Sequence, residues 1–281
     1  MIAVKLQGGL GNQLFQYALG LVLAKKAGTR IFVEISSIES DPKRTYELGA
    51  LARPPGVMAL DEIRARIKAP ATGIRGFIQR VRKPQLRYIT ERDAGFCPEI
   101  LTAGWNIYLD GYWQSARYFT GFEDFIRKHI RFSTNSEYSE RLLRDIQQTG
   151  GAISVHVRRG DYVAEERTNA VHGVLGLDYY ERAFQEMNVS PEQVFLFTDD
   201  ADWARAQPLF RGARLVSGRG LNAREELMLM AAAQRHIIAN SSFSWWGAWL
   251  SGSTSVIAPK HWFADPSFER ADRVPEHWIR L

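Results

Sequence analysis

The stretch Ala152-Ile153-Ser154-Val155-His156-Val157 constrains the fold more than any other part of the 281-residue chain. It lacks the in–out alternation of a half-solvated strand, which is the pattern of a parallel strand covered on both faces. Arg158, Arg159, Gly160 and Asp161 follow at its carboxyl end, where open α/β sheets bind their ligands. Two guanidiniums so close together repel unless something anionic lies between them, and arginine's planar fork suits a two-pronged grip on phosphate. The stretch therefore reads as the floor of a nucleotide-phosphate site. Strand alternation puts His156 and Arg158 on one face and Arg159 on the other. That sends Arg158 toward a diphosphate and leaves Arg159 to pair with Asp161 or another carboxylate. The competing reading is a structural ion-pair cluster at a strand end.

From this strand onward, apolar runs at 152–157, 194–198, 214–216, 237–239 and 255–258 alternate with helical patterns at 177–187, 203–209, 223–233 and 243–250. The chain opens the same way. A strand at 2–6 leads through a glycine-rich turn into a helix carrying Leu14, Tyr17, Ala18, Leu21, Val22 and Leu23, and then into a strand at 31–35. Strands alternating with helices build parallel sheets, so two such series imply an α/β protein of two Rossmann-like domains facing a cleft. The expected division is 1–149 and 150–281, with Thr149-Gly150-Gly151 as the hinge. The single cysteine, Cys97, allows no internal disulfide. Neither a signal-peptide pattern nor an apolar run of membrane-spanning length is seen, so a soluble cytoplasmic protein is expected.

The net charge of +5 favours anionic ligands. Much of it lies in 64–92, which carries Arg64, Arg66, Lys68, Arg75, Arg80, Arg82, Lys83, Arg87 and Arg92. Ile74, Phe77, Ile78 and Val81 there fall at helical spacing, which predicts a cationic amphipathic helix. Such a helix suits peripheral contact with an anionic membrane, and equally a plain solvated face or the basic rim of a cleft. No recognised nucleic-acid motif accompanies it, so nucleic acid is not an expected partner.

Three further stretches carry chemistry. Gly8-Gly9-Leu10-Gly11-Asn12-Gln13 is a partial dinucleotide fingerprint, and Glu34 closes the second strand where a ribose-binding acid would sit. Leu14 at the third glycine position weakens that NAD reading. Asp199 and Asp200 end the strand at 194–198, placed to accept hydrogen bonds from a guanine edge or ribose, to bind a divalent metal, or to cap the next helix. Asn240, Ser241, Ser242 and Phe243 follow a strand and open a helix, a ready anion site. Trp245, Trp246 and Trp249 behind them are either core or the wall of a pocket. His172 reads as structural more readily than as a catalyst.

Together these segments resemble the bacterial α-1,2-fucosyltransferases of glycosyltransferase family eleven. The matching stretches are 8–18, Leu109-Asp110-Gly111-Tyr112-Trp113-Gln114-Ser115, 156–162, 197–200 and 240–250, in the family's order. His156-Val157-Arg158-Arg159-Gly160-Asp161 is also similar to the donor motif of α-1,6- and protein O-fucosyltransferases. The resemblance implies a B-type glycosyltransferase fold, GDP-fucose as donor, no cofactor or required metal, and inversion at the fucose anomeric carbon. It implies transfer to the 2-hydroxyl of a galactose-terminated glycan, lipid-linked or free, in surface-polysaccharide or lipopolysaccharide-type biosynthesis. It also implies donor contacts from Gly9, Asn12, Gln13, His156, Arg158, Asp199, Asp200, Asn240, Ser241, Ser242 and Phe243, with Arg158 receiving the leaving diphosphate. For the base, Asp161, Glu165, Glu166 and His172 all stand open. Asp161 lies nearest the arginine and is equally a partner for Arg159. The stretch 40–103 matches no motif, and acceptor choice is expected there.

Overall fold

The computed structural model describes residues 1–67, 85–91, 95–132, 136–160, 170–270 and 272–281. The chain divides into two compact units, Met1–Arg131 and Phe132–Leu281.

In the first unit the strands are β1 (Ile2–Lys5), β2 (Ile31–Glu34), β3 (Gly56–Val57), β4 (Arg87–Thr90) and β5 (Ile107–Asp110). They form one parallel sheet ordered β3-β2-β1-β5-β4. Helix α1 (Leu10–Lys26) follows β1 and is buried along nearly its whole length. It lies so close to the sheet that a Cβ on Gly20 would stand 2.5 Å from Ile31 Cδ1 and 2.6 Å from Val4 Cγ2. The glycine that permits close helix–sheet packing is therefore Gly20, while Leu14 is fully buried. Besides short single-turn helices, the unit holds α2 (Leu60–Ile67) and α3 (Glu123–His129). The expected amphipathic helix at 74–81 lies outside the described residues. In the described part of the basic segment, Arg64 and Arg66 pair with Asp61 and Glu62 of their own helix at 3.6 and 2.7 Å. Among the described residues no helix is long and apolar enough to cross a membrane.

The second unit begins earlier than the expected boundary at 149/150. Helix α4 (Glu137–Gln148) opens on a capping box between Ser136 and Ser139. It buries Leu142 and Ile146 against Phe195, Phe197, Leu229 and Met230. Its apolar stripe commits this mostly polar helix to the second core. Thr149-Gly150-Gly151 is accordingly a stitched turn rather than a hinge. Arg235 Nη2 donates to the Gly151 carbonyl at 2.8 Å, and the Gly151 N–H donates to Gln234 at 2.9 Å.

Strands β6 (Ile153–Val157), β7 (Val194–Thr198), β8 (Arg214–Leu215), β9 (Arg235–Ile237), β10 (Val256–Ala258) and β11 (Ile279–Arg280) form a second parallel sheet. Its order is β11-β10-β9-β6-β7-β8. The helices between them are α5 (Leu177–Met187), α6 (Ala201–Ala206), α7 (Ala223–Ala232) and α8 (Ser242–Ser251). In the second sheet the strand order reverses between β6 and β9, and in the first the run β3-β2-β1 is broken where β5 lies beside β1. Ligands of open α/β sheets bind outside the carboxyl ends of such strands.

Three tryptophans of α8 form core rather than a pocket wall. Trp245 stacks on Trp249 at 6.0 Å, meets Trp278 at 5.6 Å, and donates its indole N–H to the Arg273 carbonyl. Between them Gly247 lets α7 approach, since a Cβ there would stand 2.8 Å from Met230 Cβ. Gly247→Val is expected to destabilise the protein by about 1–3 kcal/mol in urea unfolding, because overpacking outweighs the helix-propensity gain. An unchanged midpoint would refute that close approach.

Burial drives the pKa of His236 down to about 3. For His156 burial acts first and Arg158 second, with the same result. Below about 6.5 the unfolded chain takes up protons that the folded state refuses, so these histidines make stability rise with pH between about 3 and 6.5. Glu226, raised to about 7, acts in the opposite sense above about 4.5. Two histidines against one carboxyl leave a net loss on acidification from about pH 6.5 to 4.5, of the order of 1 kcal/mol per pH unit. Urea unfolding at the two pH values checks this, and equal stability would contradict it.

Candidate active site

At the carboxyl end of β6 the chain delivers two arginines, and β7 delivers two carboxylates beside them. Each guanidinium has its own partner. Arg158 Nη1 lies 3.0 Å from Asp199 Oδ2, and Arg159 Nε lies 3.3 Å from Asp200 Oδ2. The Arg159 backbone N–H donates to Asp199 Oδ1 at 2.8 Å, so that carboxylate brackets both residues. The Arg159 guanidinium also lies over the Trp203 ring at 4.1 Å. Arg159 is thus a brace, with Asp200 as its carboxylate. Asp161, expected either to pair with it or to act as base, lies outside the described residues, as do Glu165 and Glu166. Gly160 completes the loop, because a Cβ there would come within 2.7 Å of Asp199 Oδ2.

Arg158 stands beside the reversal of strand order between β6 and β9. Across that reversal, β9 leads through Asn240 and Ser241 into α8. Ser241 is the N-cap of α8, its hydroxyl accepting from the Phe243 N–H at 3.3 Å. Helix N-termini present backbone N–H groups and positive dipole ends, so Ser242 and Phe243 in the first turn face the side on which an anion is favoured. His156, buried in β6, places its ring 5.9 Å from that of Phe243 and so links the two sides. Its buried Nδ1 has no hydrogen-bond partner among the described residues. A neutral imidazole in that position can accept from, or donate to, a ligand hydroxyl or amide.

Several residues expected to bind a donor are instead engaged within the protein. Asp200 caps α6, accepting from the Trp203 N–H at 3.1 Å, which is the helix-cap reading. Asn240 is buried and donates its amide to the carbonyls of His172, at 2.8 Å, and Trp262, at 3.2 Å. It ties two loops to the strand end. His172 itself packs against Phe263 at 5.2 Å. Asp199 and Asp200, weighed as metal ligands, are each paired with an arginine. Among the described residues no group of three or more His, Cys, Asp or Glu is placed to hold a metal ion.

In the first unit Gly8 turns with φ at +76°, and Gly9 is the N-cap of α1 with the Arg44 guanidinium nearby. Asn12, partly exposed in the first turn, accepts from Gln114 Nε2 at 2.7 Å. Gln13 is fully buried. It donates to the Gly8 and Thr45 carbonyls and accepts from the Glu47 N–H, so its expected donor contact gives way to bracing the glycine loop. Glu34, required for an NAD ribose, is buried and accepts from the Ser36 N–H at 2.6 Å and the Tyr108 hydroxyl at 3.0 Å. With that carboxylate spent on the fold, nothing carries the NAD alternative.

The sequence reading passed over Glu226. Its neighbour Glu225 is consumed by the capping box with Asn222 and by Ser136. Glu226 turns toward Ser217 and Asp199, beside the tips of β7 and β8. Burial pushes its carboxyl up to about 7; a hydrogen bond from Ser217 opposes the rise and the Asp199 charge adds to it. A carboxyl poised near neutral pH beside Asp199 is a ligand-binding candidate. The signal in the sequence was the Asn222-x-x-Glu225 box, which assigns one of two adjacent acids to capping and leaves the other over.

A family model described as "Glycosyl transferase family 11" matches residues 82–281. The chain is 29% identical over its full length to an α-1,2-colitosyltransferase of Escherichia coli, covering 99% of that protein. It is 26% identical, over 91% of its length and 66% of the relative's, to the mouse (Mus musculus) galactoside 2-α-L-fucosyltransferase Sec1. Among solved structures, NodZ α-1,6-fucosyltransferase soaked with GDP-fucose superposes with a TM-score of 0.51 at 18% identity, covering 89% of this chain and 92% of that one. That likeness shows the fold, two parallel-sheet α/β regions of the B-type glycosyltransferase kind. The chain belongs to glycosyl transferase family 11.

Proposed function

We propose that this glycosyltransferase moves L-fucose from GDP-fucose to the 2-hydroxyl of a galactoside acceptor, with inversion at the anomeric carbon and without a metal. The observation that carries the reading is Arg158, held by Asp199 at the strand reversal between β6 and β9, across from the first turn of α8. In such a transfer the bond from the fucose anomeric carbon to the β-phosphate oxygen breaks, and its electron pair stays on GDP. The acceptor oxygen forms the new bond from the opposite face and loses its proton to a base. Charge therefore grows on the β-phosphate, and a preorganised guanidinium with helix-end N–H groups stabilises it where a divalent ion otherwise would. The mouse relative is a galactoside 2-α-L-fucosyltransferase. The E. coli relative is an α-1,2-colitosyltransferase.

His156 and Glu226 are assigned to the guanosine end, Ser241, Ser242 and Phe243 to the phosphates, and Asp161 to the acceptor proton. The decisive assay incubates the protein with GDP-fucose and galactose-terminated oligosaccharides in EDTA. Transfer with release of GDP is expected, and the absence of both refutes the proposal.

Arg158→Lys is expected to fold normally and to lose about 100-fold or more in kcat, because an ammonium cannot reproduce the fork. Near-normal turnover would remove Arg158 from its role. Because Glu226 can accept from both N–H donors of the guanine edge at once only when ionised, GDP affinity is expected to rise with pH through about 7. Titration calorimetry across that range checks it. The dependence should vanish in Glu226→Gln, and an unchanged profile in that variant would contradict the assignment.

A further inference from the structure

In the first unit the strand order is broken where β5 lies beside β1, and the segment leaving β5 there is built unusually. Trp113 is buried with φ at +55°, a left-handed conformation that bulky residues rarely adopt. Glu91, just past β4, holds it there by accepting the backbone N–H groups of Tyr112 at 2.6 Å and Trp113 at 3.0 Å. Gly111 is required beneath this clasp, since a Cβ would stand 2.4 Å from Glu91 Cβ. Backbone strain of this kind persists only where the surroundings enforce it, and it concentrates at ligand sites.

The clasp turns Tyr112 outward, 44% exposed, and sends Gln114 back to Asn12. On the neighbouring strand Tyr88 is 47% exposed, with its ring stacked on Tyr108 at 5.5 Å. The Tyr88 hydroxyl donates to Asp110 Oδ2 at 2.7 Å, and Lys5 at the tip of β1 reaches the same oxygen at 3.1 Å. Outward rings on β4 (Tyr88) and just past β5 (Tyr112) thus accompany an anchored carboxylate and ammonium at the ends of β5 and β1.

We propose that this tip is the acceptor-sugar subsite. The Tyr112 ring is the platform for the apolar face of a hexopyranoside, and Asp110, Lys5 and Tyr88 pair with its hydroxyls. Binding pockets of this class combine aromatic surface with a few fixed polar groups, and rings already held in place lose little entropy on binding. The identification of the sugar as a galactoside rests on the transferase reading above; the location of the subsite does not.

The test has two arms. In kinetics with GDP-fucose and lactose, Tyr112→Ala is expected to raise the lactose KM by about tenfold or more. GDP affinity should stay within error, and Tyr112→Phe should restore the KM because the ring rather than its hydroxyl is the platform. A lactose KM within about twofold of wild type in Tyr112→Ala overturns the proposal. In the second arm, saturation-transfer NMR of lactose and methyl β-galactoside is recorded without any donor on wild type and Tyr112→Ala. Signals that vanish in the variant support the subsite. Signals unaffected by the substitution, or none from wild type, overturn it. If wild type binds these sugars but neither binds GDP nor transfers fucose, the proposed reaction fails while the subsite stands.

Discussion

The pairing of two arginines at one strand tip with two carboxylates at the next is the constraint on which the second unit turns. A guanidinium at a ligand site must be held in place without being neutralised beyond use. Asp199 does both. One oxygen takes the Arg159 backbone and so fixes the loop, while the other rests on Arg158 at 3.0 Å with both side chains about a quarter exposed. In that half-open setting the pair is weak enough to be exchanged for a diphosphate, whereas a fully buried pair would be costly to break. Asp200 and Trp203 keep Arg159 out of the exchange.

Close contacts place these tips. Gly247 lets α8 lie against α7, which sets where Ser241 and Ser242 face, and Gly20 lets α1 lie on the first sheet, which sets where the Gly8–Gly9 turn stands. The tryptophans of α8 lock their helix from the far side through Trp278 and the Arg273 carbonyl. Each unit thereby offers a rigid break in strand order with chemistry gathered at its carboxyl end. In the second unit that chemistry is carboxylate-held arginines beside a helix N-terminus, which suits phosphate. In the first it is aromatic and mixed in charge, which suits a neutral sugar.

Much of this was legible before any coordinates, for identifiable reasons. The unalternating runs at 152–157 and 194–198 are short and rich in β-branched and aromatic residues, which marks β6 and β7 as covered parallel strands. Strands β3 and β11 carry two residues each and β4 lies inside the basic segment, so no apolar run marks them. The domain boundary moved because α4 shows a polar majority in sequence, while Leu142 and Ile146 decide its allegiance. Site roles were hardest where a side chain had two plausible partners. Gln13, Asn240, Glu34 and Asp200 have the right chemistry for a ligand, and three-dimensional neighbours claim each of them first. Arg159 was rightly separated from Arg158 by strand alternation, but its carboxylate proved to be Asp200, forty-one residues further along the chain. Glu226 was missed because only the capping geometry tells it apart from Glu225.

The most direct measurement of the central claim is the position of the Arg158 guanidinium in a crystal structure of the protein with GDP. The account predicts that it hydrogen-bonds the β-phosphate, while Asp199 keeps the Arg159 N–H and Arg159 stays on Asp200. GDP bound with Arg158 still closed on Asp199 and no guanidinium at the β-phosphate would contradict it.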